Sequence, residues 1–156
     1  MHIERKLELH LKESSIHIER LNSVVTTLES VYPLTTDSLE YISLELQDKL
    51  DVLAFRFSKL QDLLGSKIFR EYLLFLQYPV EGKNFLELLK ELEKENILDI
   101  DKWSEFRGIR NNISHDYPSE EEEKIDAINY LIKNVAYLTN ITKTIKENFE
   151  TLRKRG

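Results

Sequence analysis

The sequence predicts an all-α protein that folds as an antiparallel bundle of about five to six helices. The first observation is composition, because only four glycines and three prolines occur among 156 residues, while the helix-favouring Leu, Glu and Lys are abundant. The second is periodicity, because apolar residues recur at alternating steps of three and four along several long runs. The third is that no segment shows the alternation of apolar and polar residues that a half-buried strand requires.

The prolines mark where these runs end. Pro33, Pro79 and Pro118 each follow a long amphipathic stretch, and proline is disfavoured inside a helix. No linker, internal repeat or low-complexity tract divides the chain. We therefore expect residues 1–156 to form one domain with its own hydrophobic core.

The first two helices are predicted on either side of Pro33. The earlier one carries a single apolar stripe from Leu7 to Tyr32. The later one is expected to begin at Asp37, because Asp37 and Glu40 have the spacing of a capping box. Its stripe makes it the central helix, with Val52, Phe55 and Leu63 widening its apolar face. The residues expected to be buried there are Leu46, Leu50, Leu53, Phe57 and Leu60.

A bend is expected within this second helical run. The apolar pattern continues past Gly65 to Leu76, and a straight helix of that length would span roughly 60 Å. Such a length is too great for so small a domain, so we predict a kink or break at Gly65. Charged residues on this helix, such as Lys59 and Asp62, are expected to face solvent or to form internal pairs.

Three further helices are predicted after Pro79. A short one covers residues 85–95, and the next begins at Asp99 or Asp101 and ends near Tyr117, with Trp103 and Phe106 in the core. Its end is set by Pro118, which disfavours helical geometry in the residue before it. The last helix is predicted from a capping box at residues 119–122 to about residue 153.

Composition also excludes several classes of function. The chain has no cysteine, which rules out disulfides and thiolate zinc sites and fits a reducing compartment, so we expect a cytoplasmic protein. No stretch approaches the ~20 apolar residues of a membrane span. A net charge of −6 disfavours electrostatic binding of nucleic acid across the whole protein surface, so any RNA contact must be local.

No metal or cofactor is expected. The histidines other than His115 are His2, His10 and His17, and their spacing of about two helical turns is too long for two of them to chelate one ion directly. We interpret these three as surface residues.

One short segment carries the candidate chemistry. Residues 110–117 read Arg-Asn-Asn-Ile-Ser-His-Asp-Tyr. Asn111 and His115 are four residues apart, so they share a helix face, and the long side chain of Arg110 can reach the same region. His115 is placed to act as a general acid or base, and Arg110 to hold a phosphate. RNA supplies its own nucleophile, the 2′-hydroxyl, so cleavage by this set needs no metal.

This constellation closely resembles the HEPN domain family, and within it the HepT-type toxins. The signature of the family is Arg–x4–6–His, and the HepT form adds a tyrosine two residues after the histidine. Arg110, His115 and Tyr117 match it, and Asn111 matches the neighbouring polar position. Residues 55–65 are also similar to the second helix of the family, so the resemblance covers nearly the whole chain.

The resemblance implies a helical homodimer in which two copies of the motif face each other across a cleft. It implies a toxin of a two-component module, a metal-independent endoribonuclease whose catalytic residues are Arg110, Asn111 and His115. Its partner would be a nucleotidyltransferase-fold antitoxin that transfers AMP to Tyr117.

Two other interpretations remain open. The chain could be a non-catalytic substrate-binding partner of a nucleotidyltransferase, which some proteins of this fold are described as. It could also be a helical interaction protein without an active site. Arg110 and His115 would then lie at the end of a helix because the helix dipole stabilises cations there.

Overall fold

The computed structural model describes residues 2–113 and 120–155, and every regular element in them is helical, as predicted. A 3₁₀ turn, Glu29–Val31, extends the first helix, and a π-helical segment, Leu64–Ile68, joins α3 to α4. Counting α3 to α4 as one run, the described ranges contain six helical runs. The helices are α1 (Ile3–Leu28), α2 (Thr36–Glu40), α3 (Leu44–Leu63), α4 (Phe69–Phe75), α5 (Phe85–Lys94), α6 (Ile100–Asn112) and α7 (Glu121–Arg155).

Helix α1 lies antiparallel to the run from α3 to α4. Nδ1 of His10 lies 2.7 Å from a carboxylate oxygen of Glu71, and Arg56 donates to Nδ1 of His17 over 3.1 Å. Residue numbers rise along α1 as they fall along the partner run. His17 is only 8% exposed, so the interpretation of His17 as a surface residue was wrong, because its ring fills the contact between the two helices.

Helix α7 also runs antiparallel to α1. Near one end of the pair, Arg153 donates to Glu8 over 2.9 Å. Beyond the other end of α1, the side-chain amide of Asn129 makes two hydrogen bonds to the backbone of Leu34, at 2.8 and 2.9 Å. These contacts tie the chain after α1 to the first half of α7.

Two tyrosines of α7 hold α6 in place. The Tyr130 hydroxyl donates to Glu105 over 2.5 Å, and the backbone N–H of Asp99 donates to the Tyr137 hydroxyl over 2.7 Å. Burial raises the pKa of Tyr130, and the hydrogen bond to the Glu105 carboxylate raises it further. A tyrosine is protonated at neutral pH even at its ordinary pKa, and the raised pKa extends the pH range over which Tyr130 donates to α6.

The central helix is buried largely as predicted. Phe57, Leu53 and Leu60 have no exposed surface and Leu50 and Leu63 are buried, whereas Leu46 is only partly buried. The prediction for Val52 and Phe55 was wrong, because their exposures are 42% and 52%. At roughly 100° per residue, Phe55 lies about 200° from Phe57 around the helix, so the two rings cannot share one face.

The start of the central helix also differs from the prediction. The capping box is formed by Thr35 and Ser38 rather than by Asp37 and Glu40, and it opens only the short helix α2. The chain leaves helical geometry at Tyr41, and α3 then begins with Ser43 accepting a hydrogen bond from the N–H of Leu46. A hydroxyl side chain caps an N-terminus as well as a carboxylate does.

At Gly65 the helix is modified but not interrupted. Residues Leu64–Ile68 form a π-helical turn, which changes the face that the subsequent side chains present. A Cβ atom at Gly65 would lie 3.3 Å from Cζ2 of Trp103. Glycine thus permits the indole of α6 to approach the backbone of this run closely.

The later helices begin as predicted, with Asn84 capping α5 and Asp99 capping α6. Helix α6 ends at Asn112, with Ile113 already in a turn, so the predicted end near Tyr117 was wrong. The capping box predicted at residues 119–122 begins outside the described residues. Trp103 and Phe106 are buried in the core, 1% and 0% exposed. Across residues 2–113 and 120–155 no helix combines the length and apolar character needed to cross a membrane.

Two phenylalanines of α3 provide a matched test of this packing. Phe57→Ala should lower the free energy of unfolding by about 3–5 kcal/mol, because it removes a fully buried ring. Phe55→Ala, two residues earlier on the exposed face, should cost less than about 1 kcal/mol. Urea denaturation of both variants measures the difference. Equal losses would show that the face of α3 assigned to the core is wrong.

Candidate functional site

Arg110 lies in the last turn of α6, at the edge of the face that this helix buries. Trp103 and Phe106 anchor the helix, and Ile113, directly after its last turn, is 1% exposed. The backbone on both sides of Arg110 is therefore held by buried side chains. The arginine side chain itself is 37% exposed. The backbone of Arg110 is therefore held in place, while its guanidinium group is accessible from solvent.

The guanidinium of Arg110 is paired with Asp62 of α3. Nε lies 3.4 Å from Oδ1, and Nη2 lies 3.3 Å from Oδ2. This two-point arrangement is the one that arginine also uses to hold a phosphate. The Asp62 side chain is 59% exposed, and an ion pair so open to solvent contributes at most about 1 kcal/mol.

A groove of about 410 Å³ lies beside this pair, between α3, the end of α6 and the first part of α7. Its wall is mixed, with apolar side chains at the base and charged ones at the rim. The described residues that line it are Leu50, Asp51, Ala54, Phe55, Ser58, Lys59, Asp62, Arg110, Ile113, Lys124 and Ile128.

The ring of Phe55 stands on the α3 side of the groove and is 52% exposed. The guanidinium carbon of Arg56 lies 5.2 Å from its centroid, and Nζ of Lys59 lies 5.5 Å from it. Both distances are within the range of cation–π attraction. An exposed aromatic face therefore sits among positive charges in the same groove as Arg110.

The groove is locally more basic than the chain as a whole. Lys59, Arg110 and Lys124 line it against two carboxylates, Asp51 and Asp62, while the whole chain carries a net charge of −6. These five side chains sum to a net charge of +1, so the groove is locally less acidic than the chain as a whole.

The structure places two of the four predicted site residues. Arg110 lines the groove, and Asn111 is exposed on α6 next to it but is not among the lining residues. His115 and Tyr117 lie outside the described residues, so their roles stay predictions. Across the described ranges, no group of three or more His, Asp or Glu side chains is placed to hold a metal ion.

Two groove residues, Asp62 and Phe55, were not predicted as part of the site. The expectation that charges on α3 form internal pairs is confirmed for Asp62. That its partner is Arg110, a residue of the candidate motif, was not predicted. Phe55 was assigned to the core. A signal was present, because Asp51, Phe55 and Asp62 recur at steps of four and seven, which places them on one face of α3.

Comparison of the chain with models of known protein families, with curated proteins and with solved structures finds no match. The resemblance to the HEPN family therefore rests on the motif residues and on the helical fold, and membership of that family is a proposal.

Proposed function

We propose that the chain is the toxin of a two-component module and acts as a metal-independent endoribonuclease at Arg110 and His115. In this proposal Asn111 orients the reacting groups, and a nucleotidyltransferase-fold antitoxin neutralises the enzyme by transferring AMP to Tyr117. The substrate is RNA, because the site offers a base and a phosphate clamp but relies on the substrate for the nucleophile.

The proposed reaction is an internal phosphoryl transfer. His115 removes the proton of the 2′-hydroxyl, and the 2′-oxygen forms a bond to the adjacent phosphorus. The bond between phosphorus and the 5′-oxygen breaks, and that oxygen takes a proton from a second imidazolium. The products are a 2′,3′-cyclic phosphate and a 5′-hydroxyl. Arg110 stabilises the negative charge that builds on the phosphate oxygens.

The observation that carries the proposal is the state of Arg110. Its guanidinium is anchored at the end of a buried helix, exposed at its tip and already in two-point contact with the Asp62 carboxylate. A phosphate is negatively charged like the Asp62 carboxylate, and the spacing of its oxygens also suits a two-point contact with a guanidinium. Because the pair with Asp62 is weak, a phosphate with additional contacts can displace the carboxylate at small cost.

The second imidazolium accounts for the dimer in the proposal. One motif supplies one histidine, and a single transesterification is easier when one histidine is the base and another the acid. A twofold dimer would bring both copies of the motif to one cleft. His115 of a second copy of the chain then protonates the leaving oxygen.

Control by AMP transfer is consistent with the position of Tyr117, two residues after His115 and directly before Pro118. Its phenol oxygen would attack the α-phosphorus of ATP, releasing pyrophosphate and giving its proton to a base of the transferase. The attached AMP brings a bulky anion to the phosphate site. It would exclude RNA and pair with Arg110 without any change of fold.

A second candidate is a non-catalytic binding partner of a nucleotidyltransferase. The same ion pair favours it, because Asp62 occupies Arg110 in the absence of a ligand. The acidic start of α7, Glu121 to Glu123, also opposes RNA approaching from that side. Cleavage assays on the unmodified protein separate the two functions.

The first prediction from this proposal concerns catalysis in EDTA. The unmodified protein should cut RNA in the presence of the chelator, since only side chains and the 2′-hydroxyl take part. Arg110→Ala and His115→Ala should each lower the rate by about 100-fold or more, as expected for loss of an electrostatic or an acid–base group.

Arg107→Ala is the matched control, because Arg107 is exposed on the same helix outside the groove. It should cleave at a rate close to that of the wild type. Unchanged cleavage by both Arg110→Ala and His115→Ala would remove the assignment of the site. An unmodified protein that cuts no RNA would favour the binding partner.

The second prediction concerns AMP transfer. Co-expression with a competent transferase should add AMP groups of about 329 Da each to the chain, detected by intact mass spectrometry. Tyr117→Phe should receive none and should stay toxic in the presence of the partner. Tyr41→Phe, which changes a tyrosine that is 84% exposed, should still be modified. Additions that persist on Tyr117→Phe would place the acceptor elsewhere.

A further inference from the structure

We propose that Phe55 is a base-stacking platform, and that Lys59 and Arg110 bind the phosphates on either side of the stacked nucleotide. The groove would thereby hold single-stranded RNA next to the scissile bond. The choice of RNA rests on the proposed function, whereas the groove and its contacts are described independently of catalysis.

The Phe55 ring is half exposed, and the flexible side chains of Arg56 and Lys59 lie over it. A stacking base would therefore have to displace at least one of these cations. The ring leaves 52% of its surface in water, although the same helix buries Phe57 completely. The ring contributes little to the core, and an exposed apolar surface is unfavourable unless something covers it. A nucleobase covers an aromatic face at a gain that does not depend on sequence, because every base has a π-face.

The charge around the ring also fits a nucleotide. Arg56 and Lys59 both lie within 5.5 Å of its centroid. Lys59 comes one helical turn after Phe55, a rise of about 6 Å, so a base on the ring and its phosphate at the ammonium group can belong to one nucleotide. Stacking platforms among basic side chains are typical of single-strand binding.

Arg110 provides a second phosphate contact from the other wall. It lines the same groove as Phe55 and Lys59, so a strand stacked on the ring passes the guanidinium. A second phosphate replaces the Asp62 carboxylate there. The groove volume of about 410 Å³ falls in the range of roughly 300–1,000 Å³ that is usual for small-ligand sites.

The groove fits this occupant better than it fits a protein partner. The core of a permanent protein interface is depleted in charged residues, whereas Asp51, Lys59, Asp62 and Arg110 all line this groove. A nucleic acid strand pairs with the cations and leaves the carboxylates at the rim in water.

The test is a binding measurement in which cleavage cannot occur. A fluorescent 2′-O-methyl RNA oligomer lacks the nucleophilic hydroxyl, so its anisotropy reports binding alone. Phe55→Ala should weaken binding about 10-fold, on the scale of one base stacked on an aromatic ring, and Phe55→Trp should restore it. Tyr41→Ala, which removes an exposed aromatic ring outside the groove, should bind like the wild type.

An oligomer of the same backbone without bases separates stacking from a merely structural effect. The wild type should bind this abasic probe more weakly than the probe with bases, and Phe55→Ala should bind both equally. If Phe55→Ala weakens the two probes by the same factor, the ring does not stack on a base. Urea denaturation of Phe55→Ala establishes that its fold is intact.

The phosphate contacts predict a shallow salt dependence. Two neutralised phosphates on a single strand give a slope of roughly −1.4 for the logarithm of affinity against that of salt concentration. Lys59→Ala and Arg110→Ala should each reduce the magnitude of the slope by about half. Asp62→Asn should tighten binding, because it releases Arg110.

The outcomes distinguish this inference from the proposed function. Base-dependent binding through Phe55 in a protein that cuts no RNA would support the nucleotide subsite and remove the nuclease. Cleavage of RNA by the wild type, together with unchanged RNA binding by Phe55→Ala, would support the nuclease and remove the nucleotide subsite. Absence of binding by the wild type, or loss of an oligomer in sedimentation when Phe55 is changed, would overturn the subsite.

Discussion

The packing of Phe106 fixes the position of α6, and the groove depends on it. Its ring centroid lies 6.2 Å from that of Phe57 on α3, and 5.4 and 5.9 Å from those of Tyr130 and Tyr137 on α7. This buried ring therefore contacts both helices that flank α6, and it acts together with Trp103 and the two tyrosine hydrogen bonds to hold α6 beside the groove. Arg110 comes one turn after Phe106 on the same helix, so the core sets the position of its backbone, and the pair with Asp62 positions its guanidinium.

Breaking the pair between Arg110 and Asp62, so that Arg110 can bind an anion, costs little free energy. The base of the arginine is rigid, and its tip is held by a solvent-exposed carboxylate that contributes little to stability. Asp62 is the group that an incoming anion would have to displace from the guanidinium. In the proposed binding mode, a ligand that also stacks on Phe55 would bring additional binding free energy, so the groove would favour nucleotides over free phosphate.

Much of the fold was predictable because it depends on local rules. Apolar steps of three and four predicted the helices, and Asn84 and Asp99 cap them as such residues usually do. The details that were not predicted depend on tertiary packing. An irregularity was expected at Gly65, but its π-helical form, which accommodates the indole of Trp103, was not. An internal pair was expected for Asp62, but its partner Arg110 lies 48 positions away. No pattern along the chain encodes either contact, and Phe55 was misassigned because hydrophobicity alone does not tell core from binding surface.

The chemical identity of the RNA ends is the most direct test of the central claim, that Arg110 and His115 cleave RNA through its own 2′-hydroxyl. RNA incubated with the unmodified protein in EDTA should yield 2′,3′-cyclic phosphate or its opened product, with a 5′-hydroxyl on the other fragment. A single 2′-deoxy substitution at the cut position should abolish cleavage there. Fragments with 5′-phosphate ends, or cleavage that requires a divalent metal, would contradict the account.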